Sequence, residues 1–148
     1  MSGIELRAMT VADLPDVVVL EHELFGAQAW SEQMLADELA ESETRWYVVA
    51  CDGDAIVGYA GLATFGDEAH VMTIGTAPDA QRRGIGRSLL LALLGEADRR
   101  QVAQVILEVR VDNDAAIALY ESEGFAPVGV RKRYYQPEDI DAVVMVRG

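Results

Sequence analysis

Apolar residues change their spacing along this chain, and each change predicts an element. IELRA, residues 4–8, alternates and reads as a short strand. The period then becomes helical. Thr10 or Asp13 caps a helix running to about Phe25, with Leu14, Val17, Val18 and Phe25 on one face and Pro15 early enough for the first turn. GAQAW, residues 26–30, is a loop, and Ser31 caps a second helix to about Glu41, whose apolar positions are Met34, Leu35 and Leu39. RWYVVAC (45–51) and AIVGYAGLAT (55–64) are rich in β-branched and aromatic residues, and the Asp52-Gly53-Asp54 turn between them predicts a hairpin. EAHVMTIGT (68–76) is a third long strand, ended by Pro78. A helix follows from about Gly84 to Arg100, then the buried-looking strand AQVILEVRV (103–111). A helix from Asn113 to about Glu123 is closed by Gly124, and strands over 125–135 and 142–146 complete the chain.

The resulting order is β, α, α, β, β, β, α, β, α, β, β. It predicts an α/β protein with one mixed sheet, antiparallel hairpins first and strand–helix–strand crossovers later. The irregular alternation weighs against a doubly wound dinucleotide fold.

Composition narrows the class. The 148 residues suit a single domain, 1–148, and a content of 51% hydrophobic and 25% charged residues is that of a globular protein. The most apolar run, SLLLALLG, falls well short of the ~20 residues that span a bilayer. The first ten residues lack the basic start and apolar stretch of a secretory signal, so the expectation is a cytoplasmic protein with no membrane partner. Cys51 is the lone cysteine, and His22 and His70 stand far apart, so no disulfide framework or metal-ligand spacing is present. The net charge is −13, and residues 1–54 hold 12 acidic against 2 basic side chains. That weighs against DNA or RNA as a direct ligand. The acidic first third either presents solvated helix faces or steers a basic protein or peptide partner.

Against this acidity, AQRRGIGRSLL (80–90) gathers Arg82, Arg83 and Arg87 around Gly84, Ile85 and Gly86, where a helix begins. The first-turn N–H groups of a helix have no internal acceptors, and with the helix dipole they form an anion site. Glycine lets a phosphate approach the main chain. The stretch therefore predicts a phosphate or pyrophosphate cradle. It has no Gly-Lys-Ser/Thr, and Leu89 stands where a dinucleotide fingerprint needs its third glycine, so neither a P-loop nucleotide nor NAD is expected.

Downstream, VILEVRVDNDAAIALYESEGF (105–125) places Glu108 inside an apolar strand. It is either paired on its own face with Arg110 or it works as a general base, with a pKa raised by apolar surroundings. Tyr120 either packs or acts as a proton donor, its phenol being protonated at neutral pH. Asn113 either caps its helix or bonds a ligand amide.

QRRGIG, LEVRVDNDAAIALYESEGF and the late RYY together resemble the GNAT family of N-acetyltransferases. The nearest subgroup is the ribosomal-protein-alanine N-acetyltransferases of the RimI type. The resemblance runs through nearly the whole chain and is densest from Ile74 to Phe125. It implies the acyl-CoA N-acyltransferase fold, a mixed sheet of about seven strands with about four helices, and acetyl-CoA as co-substrate. It further implies Glu108 as general base and Tyr120 as general acid. Ile74, Gly75 and Thr76 would pair with the pantetheine arm, residues Arg82 to Arg87 would hold the pyrophosphate, and Asn113 would lie near the pantetheine. Trp30 and Tyr134, with Tyr135, would face the acceptor. Two positions depart from the family's habit. Ala29-Trp30 stands where Pro-Trp is frequent, and Gly75-Thr76-Ala77-Pro78 where Ala-Val-Asp-Pro is frequent.

The implied reaction is direct transfer of the acetyl group to an acceptor protein or peptide N-terminus, a basic ribosomal protein among the candidates. An α-amine of pKa near 8 is roughly a tenth neutral at pH 7, whereas a lysine is below about a thousandth, so one glutamate suffices as base for an N-terminus. Two alternatives stand beside it: the same chemistry on a lysine or small amine, and a non-catalytic acyl-CoA-binding regulatory module.

Overall fold

The computed structural model describes residues 3–80 and 84–148. Within them the chain forms seven strands and four α-helices: β1 (Ile4–Ala8), α1 (Leu14–Phe25), α2 (Glu32–Ala40), β2 (Arg45–Asp52), β3 (Ala55–Phe65), β4 (Glu68–Thr76), α3 (Ile85–Arg99), β5 (Gln104–Arg110), α4 (Asp114–Ser122), β6 (Ala126–Tyr135) and β7 (Ile140–Arg147). The strands lie in one sheet in the order β1-β2-β3-β4-β5-β7-β6. All neighbours are antiparallel except β4 and β5, which are parallel and joined through α3. This is the mixed sheet that the element order predicts.

The helices form where capping chemistry and apolar spacing agree. Ser31 accepts a hydrogen bond from the Met34 amide and starts α2, as expected. The start of α1 differs. Thr10 opens a single 3-10 turn over Val11–Asp13, and α1 begins at Leu14 with Pro15 in its first turn. Asp13 fastens this junction. Its carboxylate accepts both terminal guanidinium nitrogens of Arg7 at 2.8 Å and the Thr10 amide at 2.8 Å. The Arg7 hydrogen bond leads in holding its pKa down to about 2.

The apolar faces meet in one core. Leu14 and Val17 of α1, Leu35 of α2 and Leu89, Leu90 and Leu93 of α3 are buried against Val49, Tyr59, Leu62 and Leu107 of the sheet. Met34, expected on the apolar face of α2, is instead 49% exposed, because that nine-residue helix buries only the Leu35 row. On α1 the structure adds Leu20 and, unexpectedly, Glu21 to the buried set. Among the described residues no helix is long and apolar enough to cross a membrane.

One irregularity positions the site. Opposite β3, the register of β4 slips between Gly61 and Leu62, which leaves Met72 as an extra residue. Such a bulge bends the strand that carries it and increases its twist. Strands β4 and β5 pair only through Glu68–His70 and Gln104–Ile106, and past those residues they part.

Candidate active site

The parting of β4 and β5 opens a wedge whose sides carry most of the expected residues. On one side Ile74, Gly75 and Thr76 end β4. Packing at Gly75 is tight, since a Cβ would stand 2.8 Å from Leu24 Cδ1 and 3.1 Å from the Tyr59 ring. On the other side β5 continues with Glu108, held by its pairing to Val144 of β7. Beyond the tip of β4 lies the N-terminus of α3. Gly84 caps it with φ +76°, a left-handed value that favours glycine, and as a glycine it offers no side chain to cap the first turn. A Cβ on Gly84 would meet nothing within 4 Å, and one on Gly86 only ordinary contacts with Thr76 Oγ1 at 3.7 Å and Leu119 Cδ2 at 3.8 Å. The protein thus leaves room at both glycines, and uncapped N–H groups at a helix start are the donors an anion needs.

Of the expected arginines, Arg82 and Arg83 lie outside the described residues. Arg87 turns to the C-terminal end of α4, where Nη1 donates to Ser122 Oγ at 3.1 Å and to the Glu123 carboxylate. Asn113 caps α4, its Oδ1 accepting from the Ala116 amide at 3.2 Å.

Glu108, Trp30 and Tyr134 come together. They line one cavity of about 600 Å³ with Gln28, His70, Val71, Met72, Tyr135 and Gln136. The expectation that Glu108 pairs with Arg110 does not hold. Arg110 bonds Asp112, while Glu108 Oε2 receives Arg131 Nε at 2.9 Å, from β6 across β7. Nor are the surroundings of Glu108 apolar, for its side chain is partly exposed and ion-paired. Arg131 also sits over the Tyr134 ring at 5.6 Å, and Tyr134 meets Tyr135 edge-on at 5.0 Å.

Tyr120 is buried on α4 with its ring against Phe125 at 5.9 Å. Burial first, then the neighbouring Tyr135 phenol, pushes its pKa up to about 12. Tyr135 likewise rises to about 12, from burial and then from Tyr134 and Glu108. The two phenols and the glutamate therefore share one electrostatic neighbourhood.

Four participants escape sequence reasoning. Gln28 and Gln136 meet across the cavity mouth, where the Gln28 side-chain amide donates to the Gln136 carbonyl and, at 2.7 Å, to Glu138. Glu21 reaches the Trp30 backbone from α1. Arg131 belongs to a second basic run, VRKRYY, whose charge in an acidic chain was the available signal. Among the described residues no group of three or more His, Cys, Asp or Glu side chains is placed to hold a metal ion.

Comparison with known proteins agrees with this geometry. The family model for the Acetyltransferase (GNAT) family matches residues 13–125. The N-alpha-acetyltransferase RimI of Mycobacterium tuberculosis is 44% identical over 97% of this chain and 92% of its own length. The crystal structure of the ribosomal-protein-S18-alanine N-acetyltransferase from Escherichia coli superposes with a TM-score of 0.87 at 34% identity, covering 97% of this chain and 92% of that one. A GNAT superfamily phosphinothricin acetyltransferase from Sinorhizobium meliloti, solved in complex with AcCoA, superposes with a TM-score of 0.82 at 25% identity, covering 98% and 88%.

Proposed function

The chain belongs to the GNAT family of acetyltransferases, and from that premise we propose that it acetylates the N-terminal α-amino group of a protein, with a ribosomal-protein alanine as leading acceptor. The observation that carries this reading is the single cavity in which Glu108 faces Trp30 and Tyr134 at the mouth of the β4–β5 wedge. It gives a carboxylate, aromatic walls and an opening wide enough for the end of a chain.

The residues of the wedge fit acetyl-CoA. Gly84, Ile85 and Gly86, with Arg82, Arg83 and Arg87, would hold its pyrophosphate. Ile74, Gly75 and Thr76 would pair with the pantetheine, and Asn113 lies on the facing helix start. When bound, the thioester supplies an activated acetyl group.

Glu108 accepts a proton from the incoming ammonium or amine, directly or through water, so that the neutral nitrogen forms the new amide bond. Tyr120 provides the proton for the departing sulfur. Its burial keeps the phenol protonated at neutral pH, so the proton is in place when the thiolate departs. The thioester C–S bond breaks, the amide forms, and coenzyme A leaves as the free thiol. Electrostatics support a protein acceptor, since the acidic first third attracts a basic chain.

The test uses acetyl-CoA and paired peptides that begin with alanine and contain an internal lysine, one with a free and one with a blocked N-terminus. Fragmentation mass spectrometry should place the acetyl group on the free α-amine and find the blocked peptide inert. Equal turnover of both peptides at lysine overturns the reading.

A further inference from the structure

Glu21 is the most deeply buried acid of the described residues, 2% exposed in the middle of α1, and the proposed chemistry makes no use of it. An ionisable side chain at such a depth is costly, and an apolar one would fasten α1 to the sheet at less expense. What Glu21 gathers is specific. Oε1 accepts the Tyr59 hydroxyl of β3 at 2.5 Å with the Thr73 hydroxyl of β4 nearby, and Oε2 accepts the backbone amide of Trp30 at 3.1 Å. Tyr59 pairs across to Gly75 of β4, and both β4 at Val71 and Met72 and the loop at Gln28 and Trp30 line the cavity that holds Glu108. One carboxyl thus ties the loop to the sheet at the strand beside β4.

We propose that Glu21 is a positioning residue for the acceptor, setting the place of the Gly26–Trp30 wall relative to the Val71–Met72 wall. It rests on the acetyl-transfer reading above for the identity of the acceptor. Beyond the packing of Phe25 and Trp30 on the core, the loop is fixed by polar contacts at two sides. It leaves α1 at Gly26 with φ +52°, makes one 3-10 turn, and is pinned at its far side by Gln28 on the Gln136 carbonyl and Glu138. The Trp30 amide bond to Glu21 fixes the near side. Burial raises the pKa of Glu21 and the three donors oppose that rise, as expected of a carboxyl held for its geometry in a place hostile to its charge. Neither Glu21 nor Tyr59 lines the cavity, so any effect on the acceptor passes through the loop.

Glu21→Gln keeps the shape and loses the double acceptor, while Tyr59→Phe loosens the sheet side and leaves the Trp30 tether. With acetyl-CoA and the alanine peptide, Glu21→Gln should raise the acceptor KM about tenfold, with kcat and the acetyl-CoA Kd little changed. Amide exchange over residues 26–31, followed by mass spectrometry, should quicken about tenfold in parallel. Tyr59→Phe should leave the acceptor KM within about threefold although it lowers Tm. Unchanged exchange in Glu21→Gln, an equal rise in both substrate constants, or a Tyr59→Phe effect on the acceptor as large as that of Glu21→Gln overturns the proposal. Should Glu21→Gln not fold, Glu21→Asp carries the same comparison, and the wild type alone supplies a check: its Trp30 amide should exchange as slowly as sheet amides, and loop-like exchange overturns the proposal. Exchange needs no acceptor, so a wild type that turns over no N-terminal peptide refutes the acetyl-transfer reading and leaves the tether to be judged separately.

Discussion

A base that takes a proton from an amine must be within reach of it and held loosely enough to turn toward it. Glu108, the proposed base, lines the cavity and is held loosely. Its partner Arg131 is 58% exposed, and pairs of that kind contribute about 0.2–1 kcal/mol, so opening the pair as an acceptor enters costs little. Glu108→Gln should lower kcat by about 100-fold or more while leaving the acetyl-CoA Kd, measured by calorimetry, unchanged. Tyr120→Phe should lower kcat to a similar degree, and because phenylalanine keeps the ring packed on Phe125, Tm should hardly move. A loss of Tm matching the loss of rate would reassign Tyr120 to the core. Both residues were candidates in the sequence, Glu108 as an acid inside VILEVRV and Tyr120 on the next helix, and their proposed roles came from the family resemblance. Arg131 was not, since it reaches Glu108 only because β7 brings β6 alongside β5. Glu21 was missed for the opposite reason: among 12 acids in the first 54 residues nothing local marks the one that points inward.

Elements add their own tests, at the glycines and at one cap. Gly86 lies in the first turn of α3 with room for a methyl group. Gly86→Ala should therefore match or exceed the wild-type stability, by up to about 1 kcal/mol in chemical denaturation, and any damage should appear as a rise in the acetyl-CoA KM. An unchanged KM would mean that the coenzyme does not approach that backbone. The opposite behaviour belongs to Gly61, where a Cβ would fall 2.1 Å from the buried Tyr47 ring. Gly61→Ala should cost about 1–3 kcal/mol of stability in chemical denaturation. Asp13 links pH to the entry of α1. Its folded pKa of about 2 lies below that of an unfolded aspartate near 3.9, so its contribution is complete above about pH 4 and disappears as the pH falls toward 2. Asp13→Asn should lower Tm at pH 7 by a few degrees, and the gap from wild type should close on acidification. Spacing made these elements readable to within about two residues. The 3-10 entry to α1 and the bulge at Met72 escaped it, because both arise from tertiary contacts with Arg7 and with β3.

The whole molecule carries −13 yet is proposed to bind a polyanionic coenzyme and a basic chain. Those two ligands should respond to salt in opposite directions. Raising ionic strength screens long-range attraction, so kcat/KM for a lysine-rich acceptor peptide should fall as salt rises, whereas a peptide with acidic residues after its alanine should show a flat or rising profile. Identical slopes for the two peptides would assign the acidic first third to solubility alone.

The narrow join between β4 and β5 has a consequence for endurance as well as for catalysis. Among the described residues, the pairing of Glu68–His70 with Gln104–Ile106 and the adjoining bond from the Ala103 amide to the Asp67 carbonyl join a four-stranded part of the sheet to a three-stranded part, and beyond them lies the wedge. A coenzyme seated there acts as mortar between two blocks. It should raise Tm in proportion to the logarithm of its concentration, and the enzyme's lifetime in a cell then becomes a readout of how much acetyl-CoA the cell has to spare.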